Sequence, residues 1–433
     1  MDNKKPQDFS FYNDISRYNL YLLRIFATLY KKIRFMKRFL YTLIIIASLS
    51  IFKASAQEGL MTEIIDNKIA ALAEQSDAQN KRIQRLEKLK QYFNISGFVQ
   101  GAYDWVDDRD GGESVGTSTF HLRRARLSMT GDLYRGEKGA RLDYRLFIDA
   151  VRAPNPILDL WIRYQPVKEF GVQFGQFKNP VTLDASVGGN ANETIDYAYV
   201  VCNLAKMGSG DVTGLSVTAR DCGFQFFGGF VHRDGFSVIN YNIGVLNGNG
   251  INTKDNNNSK DVFARITIKP TAHLMLTTYY QLGEANLESA ANFDEYKWDG
   301  NPEYVATHRW GGGFKLDNKK VFARAEYLAG LTGNLASEGA YIKGGYSFTL
   351  PKQAGILQPS LMADYYCRDV FNYTKRDSAN AHVDMRYTAC LGYFPVKYCR
   401  VQLAYSLEQR INYTFKNNRH FGNSVKLLVT AMF

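Results

Sequence analysis

From Phe93 to the end of the chain, apolar and polar side chains alternate with a period of two. In residues 383–393, Val383, Met385, Tyr387, Ala389, Leu391 and Tyr393 share one face, and Asp384, Arg386, Thr388 and Cys390 share the other. In residues 397–410, Val401, Leu403, Tyr405 and Leu407 oppose Arg400, Gln402, Ser406, Glu408 and Arg410. The last strand alternates as Val425, Leu427, Val429, Ala431 and Phe433, so an aromatic residue ends it. A soluble sandwich has no need to keep charge on one face through so many segments. A closed membrane barrel, apolar outside and wet inside, does need it.

Counting connections gives the barrel its size. Short turns are expected at 134–138, 166–168, 233–235, 269–271, 316–318, 351–355 and at Pro395. Longer loops are expected at 107–116, 151–156, 178–220, 248–258, 285–304, 332–338, 370–381 and 412–420. Seven turns and eight loops join sixteen strands. The apolar stretch 212–219 (VTGLSVTA) is left in the third loop, because one more strand makes the number odd. The expected fold is all-β: a 16-stranded antiparallel transmembrane β-barrel, preceded by a short N-terminal coiled-coil helix. Composition agrees, with 28 Tyr, 28 Phe, 36 Gly and only 10 Pro. A helical multi-span protein is excluded, since it needs several apolar runs of roughly 20 residues.

One apolar run exists, Phe39 to Phe52. Lys37 and Arg38 precede it and Ala54-Ser55-Ala56 follows. This is the pattern of a secretory signal over 36–56, cleaved before Gln57. Met36 then reads as the true start, and residues 1–35 as an upstream extension outside the gene. These two segments carry most of the formal charge of +11, and the chain from Gln57 keeps only +4. A nucleic-acid partner therefore loses its support. Residues 57–92 read as a periplasmic helix. Ile65, Ile69, Leu72, Ile83 and Leu86 fit one heptad seam, interrupted by the polar Ser76 and Gln79. Such a seam points to self-association. The five cysteines, at 202, 222, 367, 390 and 399, have no zinc spacing, and a Cys202–Cys222 pair stays open. No cofactor or metal site is expected; the Asn/Gly-rich stretch from Asn247 to Ser259 is only a weak calcium pattern.

Four stretches carry a family resemblance. They are FHLRRARLSMTG from Phe120, VQFGQFKNP from Val172, RDCGFQFFGGF from Arg220, and YNIGVLNGNG from Tyr241 followed by KDVFARITIKP from Lys260. In order and spacing they resemble the phosphate-selective porin O and P family of Gram-negative outer membranes. The resemblance implies a homotrimer in outer-membrane lipid, with a third loop folded into the pore of each sixteen-stranded barrel. It does not by itself establish phosphate as the substrate, and small anionic solutes are expected from the lumen-facing arginines rather than from the resemblance.

Parity assigns the lumen. On the second strand Ala125, Leu127 and Met129 face lipid, and Arg124 and Arg126 face inward. Arg123 falls on the lipid parity near the rim, where it can snorkel. On the third strand Arg141, Asp143, Arg145 and Asp149 face in; on the fourth, Asp159, Trp161 and Arg163 do. Arg265, Arg324, Arg386, Arg400 and Arg410 join them. Guanidinium groups stay charged and fork onto oxyanions. The candidate anion-binding residues are Arg124, Arg126, Arg141, Arg145, Arg163, Lys178, Lys206 and Arg265. The competing reading is that these cations pair with Asp143, Asp149, Asp159, Glu326, Asp364, Asp384 and Glu408 and brace the wall. The loop from Lys178 to Arg220 is too long for an idle connection. Its acids Asp184, Glu193, Asp196 and Asp211 are expected to face cations across a constriction. An enzyme is not expected, because no nucleophile motif accompanies the six histidines, although a His–Ser pair could assemble in space. A purely structural or adhesive barrel is the other alternative, but sixteen strands enclose more than side chains fill.

Overall fold

The computed structural model describes residues 58–110, 113–136, 139–207, 218–286, 304–371, 381–412 and 419–433. The expected extension 1–35 and signal 36–56 lie outside the described residues, as do Asp211 and most of 212–219. The helix α1 runs Glu58–Tyr92. Ile69, Leu72 and Leu86 of the expected seam are exposed along it.

The barrel strands are β1 (Asn94–Asp110), β2 (Glu113–Arg135), β3 (Arg141–Asp149), β4 (Ile157–Val167), β5 (Phe170–Lys178), β6 (Arg220–Arg233), β7 (Phe236–Leu246) and β8 (Asp261–Ile268). They continue as β9 (Leu274–Asn286), β10 (Tyr304–Asp317), β11 (Val321–Thr332), β12 (Leu335–Tyr346), β13 (Ile356–Arg368), β14 (His382–Val396), β15 (Cys399–Asn412) and β16 (Arg419–Met432). A two-residue piece, Phe348–Thr349, prolongs β12 beyond Ser347 and pairs with the same β13. Each strand is antiparallel to the next, and β1 pairs with β16 from Phe98↔Met432 to Arg109↔Phe421. The wall is thus a closed ring of sixteen strands, as expected, with no free edge to leave backbone groups unpaired in lipid. Period-two burial is cleanest on β8, where Asp261, Phe263, Arg265 and Thr267 are buried and the residues between them are exposed.

Three connections differ from expectation. The 107–116 loop shrinks to the link between Asp110 and Glu113, because polar residues there continue both strands. The 332–338 loop is a turn at Gly333-Asn334, with Gly333 in the left-handed region (φ 55°). The Pro395 turn falls two residues later, at Lys397-Tyr398, and the ladder slips between Tyr393 and Val396, next to the missing proline N–H.

The fourth difference matters most. The register of β1 with β2 steps from Gln100↔Arg124 to Gly101↔Leu122, leaving Arg123 as an extra residue. This β-bulge flips parity locally. Phe120 and Leu122 stay exposed, while Arg123 turns inward and binds Asp196 of the third loop at 2.5 Å. The expectation that Arg123 snorkels on the lipid side is therefore corrected. A bulge is invisible to strict alternation.

The seam ends at Gly97, whose N–H donates to the Phe433 carbonyl (2.9 Å) and whose carbonyl accepts the Phe433 N–H in return (3.0 Å). A Cβ on Gly97 would lie 2.5 Å from the Arg126 carbonyl oxygen and 2.5 Å from the Phe433 ring. Gly97→Val should therefore wedge the seam at a cost of about 1–3 kcal/mol. The check is the temperature at which the folded barrel loses its compact gel mobility: it should fall, and an unchanged transition would mean the seam tolerates the side chain.

Candidate pore constriction

The third loop starts where β5 ends and enters the lumen. It forms two short helices, α2 (Leu183–Ser186) and α3 (Tyr199–Leu204). Both start against the wall. Thr182 caps α2, accepting the Ala185 N–H at 2.8 Å, and Glu326 of β11 accepts the Leu183 N–H at 2.8 Å. Asp364 of β13 accepts the Tyr199 N–H that opens α3 (3.0 Å). Wall carboxylates here satisfy the orphan donors of helix starts.

The loop acids are clamped by wall cations. Asp184 is fully buried, 2.6 Å from Lys343 Nζ and 3.3 Å from Arg324 Nε. Glu193 binds Arg324 at 2.7 Å. Asp196 lies between Arg123 (2.5 Å) and Lys426 (2.6 Å). The neighbouring Ile195 is held at φ 65°, a left-handed conformation costly for a β-branched residue. Arg400 donates to the carbonyls of Asn190 and Asn192 (3.3 and 3.1 Å), and Gln402 donates to that of Asn192 (3.1 Å). Apolar packing completes the anchor, with Ala185, Val200, Val201 and Leu204 against Phe263, Leu328, Tyr341 and Tyr366. Asp184, Glu193 and Asp196 thus fasten the loop. Their charge is spent locally, where sequence reasoning had them facing pore cations.

The expected cations divide into three groups. Lys206 and Arg265 brace the loop: Lys206 Nζ donates to the Gly248 carbonyl (2.7 Å), and Arg265 to the Pro180 carbonyl (2.7 Å) and to Thr277 (2.9 Å). Arg141, Arg163, Arg145 and Arg126 form a ladder with carboxylates along β2–β4. Arg141 binds Asp132 (2.7 Å) and Asp143 (3.0 Å), and Arg163 forks onto Asp143 (2.9 and 2.6 Å). Arg126 is locked to Asp149 at 2.8 Å, with both groups buried. Arg145 makes only a loose contact with Asp159 (3.4 Å), because Arg220 holds that carboxylate at 2.6 Å; the Arg145 side chain stays 33% exposed. Phe147 packs among these heads, with Arg145 4.4 Å, Arg126 5.6 Å and Arg220 5.7 Å from its ring centre.

Arg124 and Lys178 form the third group. Arg124 donates to Gln100 Oε1 (2.9 Å), and Lys178 Nζ reaches only the Val187 carbonyl, at 3.5 Å. Among the described residues neither has a carboxylate at ion-pair distance. Both flank the loop segment Val187–Gly189, which Gln100 also holds through the Gly189 carbonyl (3.1 Å). Lys178 lies in the field of Arg124, Arg126, Arg220 and Asp159. One wall therefore gathers Arg124, Arg126, Arg145, Lys178 and Arg220 around two carboxylates, Asp149 and Asp159. Sequence reasoning missed Arg123, Lys343 and Lys426 as loop clamps. The signal for Lys343 and Lys426 was present, since each sits on the inward parity of its strand.

The remaining candidates resolve simply. All five cysteines are unbridged, and burial pushes the Cys202 thiol up to about 12, so it stays protonated and unreactive. In the Asn/Gly-rich loop, Asp255 pairs with Lys260 and accepts the Asn257 N–H (3.2 Å). His232 bridges Ser237 (2.9 Å) and Glu169 (2.6 Å). This trio sits on open turns and ties the β4–β5 turn to the β6–β7 hairpin.

A closed barrel with an apolar exterior, a charged interior and a loop pinned inside it defines a membrane-spanning pore protein. The chain belongs to the phosphate-selective porin O and P family, whose model matches residues 93–427. It is an outer-membrane porin. Solved structures agree in fold. The outer-membrane channel DcaP of Acinetobacter baumannii is 15% identical, with 79% of this chain and 97% of that one covered and a TM-score of 0.53. The anion-selective porin from Comamonas acidovorans is 11% identical, covering 79% and 99% with a TM-score of 0.53. OmpT of Vibrio cholerae in its trimer form is 10% identical, covering 79% and 100% with a TM-score of 0.52. Comparison with curated proteins by sequence gives no match.

The clamps have a pH signature. Burial raises the pKa of each loop carboxyl, but the cations outweigh it: Lys343 and Arg324 at Asp184, Arg324 and Lys343 at Glu193, Arg123 and Lys426 at Asp196. All three end below the usual carboxylate range. Their stabilisation is complete above the unfolded pKa, near 4, and is lost only as pH falls through the lower folded values. Hydrogen-exchange protection of residues 183–205 should therefore be the same at about pH 4.5 as at neutrality. Asp184→Asn strands the buried Lys343, while Arg324 keeps Glu193; at about 3–5 kcal/mol it should strip protection at both pH values. Wild-type protection lost between neutrality and about pH 4.5 would mean the ion pairs do not hold the loop.

Proposed function

We propose that the chain is one subunit of a homotrimeric porin that lets small anions, phosphate among them, diffuse through a lumen narrowed by its third loop. The observation that carries this reading is the charge imbalance in one cluster on the β2–β6 wall, where Arg124, Arg126, Arg145, Lys178 and Arg220 gather around only Asp149 and Asp159. Such an imbalance raises local anion concentration and lowers the barrier to anion passage. Arg124, Lys178 and the exposed edge of Arg145 are the groups with oxyanion capacity to spare. Arg126, Arg141 and Arg163 act mainly through their aspartates, and Lys206 and Arg265 through the loop. A signal over 36–56 would deliver the chain, and the exposed seam of α1 would help assemble subunits. The trimeric form of the Vibrio cholerae OmpT structure and the anion selectivity of the Comamonas acidovorans porin are compatible with this reading.

A porin without anion selectivity is the second reading, and the pairing of Arg141, Arg163 and Arg126 with aspartates favours it. Planar-bilayer recording separates the two. Insertion should give conductance in steps of three, and a salt gradient should give a reversal potential on the anion side. A unit charge about 8 Å from a pore ion, at an effective dielectric near 40, contributes about 1 kcal/mol, or about fivefold in permeability. Replacing Arg124 and Lys178 together by Gln should lower the anion-to-cation ratio by at least that factor. A wild type that reverses at zero, or a double variant with an unshifted potential, removes the anion reading and leaves a general porin.

A further inference from the structure

The short-turn end of the barrel carries a second concentration of positive charge, remote from the loop. The seven short turns contain seven lysines, at 138, 168, 269, 319, 320, 352 and 397, against three carboxylates, Glu137, Glu169 and Asp234. A lysine thus occurs in six of the seven turns, and the seventh, Asp234-Gly235, directly follows Arg233 at the end of β6. Lys168, Lys319, Lys320, Lys352 and Lys397 are exposed, and so are the flanking Arg135 and Arg233. Below this ring lies an outward aromatic belt: Tyr134, Tyr164, Phe170, Phe230, Phe348 and Tyr398 are all exposed. Phe170 stacks on Phe226 and Phe230 on Tyr241, each pair 5.8 Å apart. Lys397 Nζ lies 4.4 Å from the Tyr398 ring centre, so charge and belt meet at one turn.

Aromatic girdles mark the height of the membrane–water interface, and short turns of outer-membrane barrels face the periplasm. A lysine one or two residues beyond the girdle can lay its stem along the apolar surface and hold its ammonium at headgroup level. We propose that this ring is a docking surface for anionic phospholipid headgroups of the periplasmic leaflet, which it collects as an annulus around the barrel. The recognised chemistry is a phosphodiester with net negative charge, in which the ammonium ion acts as a point charge. A zwitterionic headgroup offers the same phosphate with its charge cancelled. Selectivity therefore comes from net charge, at roughly fivefold per engaged cation.

Native mass spectrometry of the purified full-length protein tests this, with phosphatidylglycerol and phosphatidylethanolamine added in equal amounts. Several phosphatidylglycerol molecules should stay bound, in at least fivefold preference over phosphatidylethanolamine. The variant with Lys168, Lys319, Lys320, Lys352 and Lys397 all changed to Gln should bind both equally, while single-channel conductance and folded gel mobility match wild type. If that variant does not fold, the pair Lys352→Gln and Lys397→Gln should still lower the preference measurably. Equal retention of the two lipids by wild type overturns the proposal, as does a preference that survives the substitutions. Millimolar inorganic phosphate should leave the bound lipid in place. Displacement by it would make the ring a collector of free anions and sink the lipid reading.

Discussion

Everything in this molecule follows from the closure of β1 onto β16. In a bilayer an unpaired N–H or C=O has no water to turn to, so the first and last strands must find each other. The pairing from Phe98↔Met432 to Arg109↔Phe421 does this, and the reciprocal Gly97–Phe433 hydrogen bonds finish it at the rim. Closure also creates the interior. Once every second side chain is enclosed and sixteen strands set the circumference, the lumen is too wide for side chains alone. The third loop partly fills that space, and it has to be held there.

The holding is electrostatic at its centre and apolar at its edge. A loop carrying Asp184, Glu193 and Asp196 into a confined space pays a desolvation cost unless each carboxylate meets a cation. The wall supplies Lys343, Arg324, Arg123 and Lys426 for these three acids. Glu326 and Asp364 do the reverse, offering wall carboxylates to the N–H groups that open α2 and α3. The left-handed Ile195 sits between two of these clamps, Glu193 and Asp196, which is where strain of this kind can be sustained.

Most of the fold was legible because a barrel repeats one rule sixteen times. Tyr387, Leu391, Leu403, Tyr405 and Val429 are exposed where the alternation puts them, and Arg324, Arg386 and Arg400 are buried. The errors occur where the rule is locally broken. Arg123 is a single inserted residue, and a period-two count through it gives the wrong face. The 107–116 and 332–338 segments contain the Gly, Asn and acidic residues of loops, yet strands extend through them because their partners continue alongside. The site was less legible than the fold. Parity tells which side chains enter the lumen, but not which cation a carboxylate will take. Arg126 and Arg124 looked equivalent from their shared face, and only three-dimensional pairing separates them: Arg126 has Asp149, whereas Arg124 has an amide.

That difference bears on what a count of arginines can say about selectivity. A guanidinium matched to a carboxylate presents little net field beyond its own neighbourhood, so Arg141 and Arg163 with Asp132 and Asp143 shape the wall more than they charge it. The field comes from the surplus. Because the loop acids are neutralised by cations from β2, β11, β12 and β16, they do not offset the β2–β6 wall, where Asp159 is shared by Arg145 and Arg220 and where Arg124 and Lys178 meet only an amide and a carbonyl. Pinning the loop and leaving the β2–β6 cluster positive are thus one arrangement. A loop with fewer acids would free wall cations and raise the total charge, but it would lose the clamps that define the opening through which that charge acts.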